Sequence, residues 1–290
     1  MNNIGVDLGG TNLRVAKIDK LGNILDSVKM PTESDKGPVQ ISNKIIKAIN
    51  DLKDNSTVKV GIGIPGQVDN EKKLVVQCVN INMENFPLAK LVEDGTNLPV
   101  IMNNDANVAG LGEAIIGAGR DSDIVYYITW STGVGGSLII NKQLINGANY
   151  NTGEIGNLIM NPDHGFEHSL FNKGSLEAEV AGNAIKRYSK EINMSVPDIF
   201  SSYKEGNKRE VEFIDYITDI MARALANIYH VIEVDVFVFG GGVTLNSGGV
   251  LLPLVIKKVD NYLTPAMQGK LKIKFAELGD NNGLIGAGFL

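Results

Sequence analysis

Ile4-Gly5-Val6-Asp7-Leu8-Gly9-Gly10-Thr11-Asn12 opens the chain with an apolar run that stops at an acid, two glycines and a hydroxyl residue. The run predicts a short strand, and Gly9-Gly10-Thr11 turns it into a return over Leu13 to Asp19. Leu21-Gly22-Asn23 turns again into Ile24 to Lys29, which completes a three-stranded meander. The same pattern restarts about 125 residues later, a spacing that means two similar halves and excludes a solenoid, whose unit is ~20–50 residues. There Ile124 to Thr129 predicts a strand, Ser131 to Gly136 a glycine-rich turn, Ser137 to Ile140 the return and Leu144-Ile145 a third strand.

Around these meanders the periodicity alternates. Ile41, Ile45, Ile46, Ile49 and Leu52 form one helical face. Strands follow at Val58 to Ile64 and at Val100 to Met102, the latter running into Asn103-Asn104-Asp105 and a small-residue helix over Ala106 to Ala118. Single helices are expected over Leu176 to Lys190, Val211 to Ile232 and Leu251 to Leu263, with strands at Val234 to Phe239 and Leu271 to Ala276. Asn282 to Leu290 reads as a short terminal helix. Strands alternating with helices make an α/β protein.

At 290 residues the chain suits about two domains of ~150 residues each. It carries 27 Lys and Arg against 33 Asp and Glu, a net charge of −6, which argues against nucleic acid or an anionic membrane as the main partner. No apolar run nears the ~18 residues of a membrane span, and Met1-Asn2-Asn3-Ile4 lacks the basic start of a secretory signal. The expectation is a cytoplasmic protein. Cys78 is the single cysteine, so an internal disulfide and a multi-cysteine metal site are excluded.

The chemistry gathers at the glycine turns. Backbone N–H groups of such a turn can approach phosphate oxygens, Thr11 can add a hydroxyl, and Asp7 can hold water on Mg²⁺, a hard cation that prefers oxygen. A hairpin with Asp7 merely steadying the turn is the plainer reading. The near-repetition at Thr129-Trp130-Ser131-Thr132-Gly133-Val134-Gly135-Gly136 favours the phosphate reading, with two glycine hairpins gripping a polyphosphate in a cleft. There is no G-x-x-x-x-G-K-[ST]. Gly61-Ile62-Gly63-Ile64-Pro65-Gly66 fits the dinucleotide fingerprint, but Gln67-Val68-Asp69 continues it as a turn where that site needs a helix. Asn104-Asp105-Ala106-Asn107 offers a general base and a hydroxyl-fixing amide at a strand end, or simply a helix cap. Glu154, in Gly153-Glu154-Ile155-Gly156-Asn157, and Glu177 supply further carboxylates, each of which alone reads as a solvated acid.

Six segments in register resemble the ROK family of bacterial sugar kinases and repressors. They are Asp7-x-Gly9-Gly10-Thr11, Pro65-Gly66-x-Val68-Asp69, Asn104 to Asn107, Thr132-Gly133-x-Gly135-Gly136, Gly153 to Gly156 and Gly240-Gly241-Gly242-Val243. The resemblance implies an actin/hexokinase-like fold of two ribonuclease-H-like domains flanking a cleft. A smaller domain would span 1–112, with a terminal helix at about 280–290 packing back on it, and a larger one 113–279. It implies Asp105 as the base on a sugar hydroxyl, usually at C6, with glucose the first choice of sugar. Gly66, Asn80, Asn104, Glu154, Asn157 and Glu177 would bind the sugar. Asp7, Gly9, Gly10, Thr11 and Asn12 would form the first phosphate and Mg²⁺ loop, with Asp7 reaching the metal through water. Thr132, Gly133 and Gly135 would form the second loop, and Gly241 and Gly242 the adenosine side of ATP.

The departures bear on the sugar more than on phosphoryl transfer. Asn157 stands where kinase members carry a His, and Asn is a poor zinc ligand. The family's C-x-C-G-x-x-G-C cluster falls on His168, Leu170 and Ser175, so no structural zinc is expected, and the pair His164 and His168 reads as surface. Met83 stands where many members have a Trp near the sugar, and Ser131 replaces a usual Gly. A sugar-binding protein with weak or no kinase activity is the alternative. A sugar-responsive transcriptional regulator is less favoured, because the first strand begins at residue 3 or 4 and the net charge is acidic. The resemblance also implies a homodimer.

Overall fold

The computed structural model describes all of residues 1–290. Its strands and helices, in chain order, begin with β1 (Asn2–Leu8), β2 (Asn12–Ile18), β3 (Ile24–Pro31), α1 (Pro38–Leu52), β4 (Thr57–Ile64), β5 (Gln67–Asp69) and β6 (Leu74–Cys78). They continue with β7 (Met83–Phe86), α2 (Leu88–Thr96), β8 (Val100–Asn104), α3 (Asp105–Ile115), β9 (Ile124–Trp130), β10 (Val134–Ile140) and β11 (Gln143–Leu144). The remainder are α4 (Leu176–Val180), α5 (Gly182–Glu191), α6 (Val196–Lys204), α7 (Lys208–Ile232), β12 (Val236–Gly240), α8 (Gly242–Val259), β13 (Ile273–Phe275) and α9 (Asn282–Phe289). No helix is long and apolar enough to cross a membrane.

Two five-stranded sheets have the same order, β3-β2-β1-β4-β8 and β11-β10-β9-β12-β13. In the first, β1–β2 and β2–β3 pair antiparallel while β1–β4 and β4–β8 pair parallel. In the second, β9–β12 and β12–β13 are parallel and β10–β11 antiparallel. The duplicated meander read from the glycine turns is thus a duplicated sheet. A third, small antiparallel sheet, β5-β6-β7, was not foreseen, because its strands hold only three to five residues each and carry little period-2 signal.

The chain divides into two compact units: residues 1–123, 137–152 and 277–290, and residues 124–136 and 153–276. In the first, Ile4, Val6 and Leu8 of β1 pack with Val60, Ile62 and Ile64 of β4 and with Ile41, Ile45 and Ile49 of α1, all fully buried. Ala16, Ile18 and Leu284 form a smaller cluster beneath α9. Close approach of α9 demands small residues. A Cβ on Gly61 of β4 would lie 1.7 Å from the Ala287 carbonyl oxygen, and one on Gly286 of α9 1.7 Å from that of Val108. Gly61 and Gly63 of the false dinucleotide fingerprint are therefore packing residues, a Cβ on Gly63 coming within 2.6 Å of the Val108 side chain, and a turn and β5 follow them. The ends of the chain meet here, with Asn3 Nδ2 donating to the Gly288 carbonyl at 2.6 Å.

In the second unit every residue of β12 is buried, and the apolar stripe of α7 through Ile214, Ile217, Met221 and Leu225 is buried as well. Two helix expectations need correction. Leu176 to Lys190 is not one helix: Ala181 is extended (φ −60°, ψ 166°) and separates α4 from α5. The break frees two amides for tertiary use, since Gly182 N–H donates to Ser131 O at 2.7 Å and Asn183 N–H to Thr132 O at 3.1 Å. The helix expected from Leu251 begins instead at Gly242, directly after the glycine run. Gly241 caps it at φ +87°, a conformation that favours glycine.

Candidate functional site

In the first unit the sequence-derived residues cluster at the carboxyl ends of β1, β4 and β8. Asp7 is the penultimate residue of β1, and β1–β2 register sets it opposite Arg14. Arg14 grips Asp7 Oδ2 with Nη2 and with Nε, the latter at 3.0 Å. The loop that follows is fastened from behind by the fully buried Thr32. Its Oγ1 donates to the Gly9 carbonyl at 2.6 Å, and its N–H donates to the Thr11 carbonyl at 2.9 Å. Asn80 stands beside this loop, its Cβ 3.5 Å from where a Gly10 Cβ would be.

Asn104 is the N-cap of α3 and its Oδ1 accepts the Ala106 N–H at 2.9 Å. Its amide also donates toward Gly66 O at 3.4 Å, so Asn104 and Gly66 are neighbours. Asp105 opens the helix, exposed, with Oδ1 accepting the same Ala106 N–H at 2.8 Å. Below it the buried Asn103 takes the Asn104 N–H at 2.9 Å and Asn107 Nδ2 at 2.8 Å, and donates to Asn146 at 2.7 Å. The cap is therefore Asn104, and Asp105 is the first residue of the helix.

In the second unit the loop Ser131–Gly133 follows β9. Its Ser131 and Thr132 carbonyls are the acceptors for the first amides of α5. As at the first loop, the carbonyl side is tied down. Glu177, the second residue of α4, reaches across, and its Oε2 accepts the Val134 N–H at 2.7 Å. A Cβ on Gly133 would come within 2.4 Å of that oxygen, and one on Gly156 within 2.4 Å of Val134 O. The glycines thus bring the Gly153–Gly156 segment and Glu177 onto the loop. Glu154 borders a cavity of about 340 Å³ with Tyr126, Leu158 and Ile228. The surrounding protein pushes its carboxyl above the usual range, and the Glu177 carboxylate adds to the push. Asn157 closes the turn after Glu154 and is exposed. Ser131, Thr132 and Gly242 line another cavity of about 300 Å³ with Ile185, Val196 and Phe200.

No group of three or more His, Cys, Asp or Glu side chains is arranged to hold a metal ion. His164 is exposed, but His168 is not the surface residue expected: 18% of its side chain is accessible and its Nε2 lies 3.2 Å from Glu177 Oε1. Met83 is in the hydrophobic core of the first unit. Sequence reading passed over Arg14, Thr32 and Asn103. Only Arg14 left a signal, because opposite charges at a hairpin's paired positions attract.

The sequence matches the ROK family over residues 3–290. A glucokinase of Halalkalibacterium halodurans is 30% identical over 310 positions, covering 99% of this chain and 94% of that protein. A ROK hexokinase from Thermus thermophilus has a similar structure, with a TM-score of 0.88 at 27% identity over 99% of this chain and 97% of that one. A ROK family glucokinase from Streptomyces griseus, solved in complex with glucose and AMPPNP, gives 0.78 at 28% identity over 100% and 98%.

Proposed function

Because the chain belongs to the ROK family, we propose that it is an ATP-dependent sugar kinase that phosphorylates a hexose hydroxyl, at C6 and with glucose as the leading substrate. The observation that carries this reading is the pair of glycine loops after β1 and β9, each with its carbonyls bound from behind. The Gly9 and Ser131 N–H groups bond within their own loops, to Asn12 O and Gly133 O, and the amides that follow them, at Gly10, Thr11, Thr132 and Gly133, would be the donors to phosphate oxygens. The apolar walls Ile185, Val196 and Phe200 beside Gly242 suit a nucleoside, and the glucokinase solved with glucose and AMPPNP supports the same pair of ligands.

In this reading Gly9, Gly10, Thr11 and Asn12, and likewise Thr132, Gly133 and Gly135, hold phosphate oxygens. Gly241 and Gly242 border the adenosine. The donor set fits Mg²⁺ sparingly: Asp7 is one hard-oxygen ligand whose Oδ2 already serves Arg14, so water and phosphate must complete the shell. Bound there, Mg²⁺ would neutralise charge on the transferring phosphoryl group. Asp105 takes the proton from the attacking sugar hydroxyl and orients it. Gly66, Asn80, Asn104, Glu154, Asn157 and Glu177 bind the remaining hydroxyls. Selectivity arises because a missing hydroxyl leaves a buried polar group unpaired.

The test is a coupled ADP assay over glucose, N-acetylmannosamine, fructose and β-glucosides, with Asp105→Asn beside the wild type. Sugar-dependent ADP release by the wild type, and a loss on the order of 10²-fold or more in the variant with an unchanged melting curve, is the expected result. Near-normal turnover by the variant removes Asp105 as base. Sugar binding without turnover by the wild type selects instead a sugar-binding protein, the reading favoured by Asn157 and Ser131.

A further inference from the structure

His168 lies outside the set of groups assigned above, yet its two ring nitrogens are both committed. Nδ1 accepts the backbone N–H groups of Leu170 and Phe171, each at 3.1 Å. An unprotonated Nδ1 leaves the proton of the neutral ring on Nε2, and Nε2 faces Glu177 Oε1 at 3.2 Å. The ring is stacked on Phe171, with centroids 4.7 Å apart and planes 12° from parallel. The other Glu177 oxygen is held by the Val134 amide of the second glycine loop. A glutamate has three rotatable bonds, and here both oxygens are fixed before any ligand arrives.

We infer that His168 is a positioning residue for the acceptor sugar: it locks Glu177 in one rotamer between the turn at Ser169–Phe171 and the second glycine loop. The inference rests on the kinase reading and deepens it. A carboxylate frozen in advance forfeits less conformational freedom when it accepts a sugar hydroxyl, so the gain appears in sugar affinity. The lock acts on the sugar side, because the group it aims is a hydroxyl acceptor and not a phosphate donor.

Two substitutions split the roles of the ring. In His168→Asn, Oδ1 overlies Nδ1 and keeps the Leu170 and Phe171 amides satisfied, but the side chain stops short of Glu177. In His168→Gln, the terminal amide reaches Glu177 and the turn loses its acceptor. The positioning role predicts that Asn raises the sugar KM about three- to tenfold with kcat and the ATP KM little changed, and that Gln restores the wild-type sugar KM. A purely structural turn cap predicts the reverse, normal behaviour for Asn and impairment for Gln, and that result overturns the inference. Equal sugar KM in all three proteins overturns it as well.

A measurement without turnover accompanies the kinetics. In protein labelled with ¹⁵N-histidine above neutral pH, the His168 ring, identified by its absence in His168→Asn, is expected as the Nε2–H tautomer and is expected to shift in Glu177→Gln. An Nδ1–H tautomer, or no response to Glu177→Gln, overturns the inference whatever the assay shows. A wild type that turns over no sugar refutes the kinase reading separately.

Discussion

Glu154 shows how a single residue carries opposite demands. Its carboxyl is pushed upward by the protein around it and by the Glu177 charge. A folded-state pKa above the unfolded value makes the native state hold its proton longer, so the stabilisation is complete below the unfolded pKa and lost as pH rises through the folded one. Glu154→Gln is therefore expected to melt no lower than the wild type at neutral pH, to lose that relative advantage in acid, and to bind sugar more weakly. Thermal melts from acid to neutral pH, beside the sugar KM, check this. A variant that melts lower than the wild type at neutral pH but not in acid refutes the sign. Residues of this kind were legible in part. Asp7 and Asp105 stood out because each is an acid at a strand end beside a turn or a helix start, whereas Glu154 and Glu177, which alone read as solvated acids, were singled out only by the family resemblance. Thr32 did not, because it acts on a segment distant in sequence, and His168 was read as surface because its loop carries no periodic pattern. A hydroxyl 23 residues from its Gly9 acceptor leaves no trace in periodicity.

At the scale of elements, glycine is both what made the fold readable and what keeps it packed. The two meanders were legible because strand–glycine turn–strand is a local pattern. The division of α4 from α5 was not, since Ala181 and Gly182 interrupt no apolar period and the break is stabilised by Ser131 and Thr132, far upstream. The start of α8 was hidden for the opposite reason: a glycine run reads as a turn, while here it approaches the Trp130 backbone so closely that a Cβ on Gly241 would lie 2.6 Å from Trp130 O. Packing of α9 on β4 gives a sharp prediction. Gly61→Val is expected to destabilise by about 3 kcal/mol or more, because backbone on both sides must move. Gly249→Ala, on α8 with nothing near its would-be Cβ, is expected to be neutral or slightly stabilising. Denaturant midpoints compare them, and equal midpoints would show that α9 yields without cost.

For the molecule as a whole, the repeated meander read from the sequence is part of a repeated five-strand order that the structure supplies. The chain does not keep to one unit at a time. It leaves the first unit after Asp123, returns for 137–152, and returns again at Glu277 to supply α9. Glu113 of α3, fully buried, fixes the last return: Oε1 accepts the Leu278 N–H at 2.9 Å, and Oε2 those of Glu277 and Ala118 at 3.0 Å. The amide of Asn3 rests on the carbonyl of Gly288, so beginning and end are already tethered. A protein of that kind can be rewired as a ring and reopened elsewhere. A linker on the order of five residues joining Leu290 to Met1, with the new opening at exposed Gly206 between α6 and α7, is expected to give a permuted enzyme that folds and keeps its turnover within a few-fold.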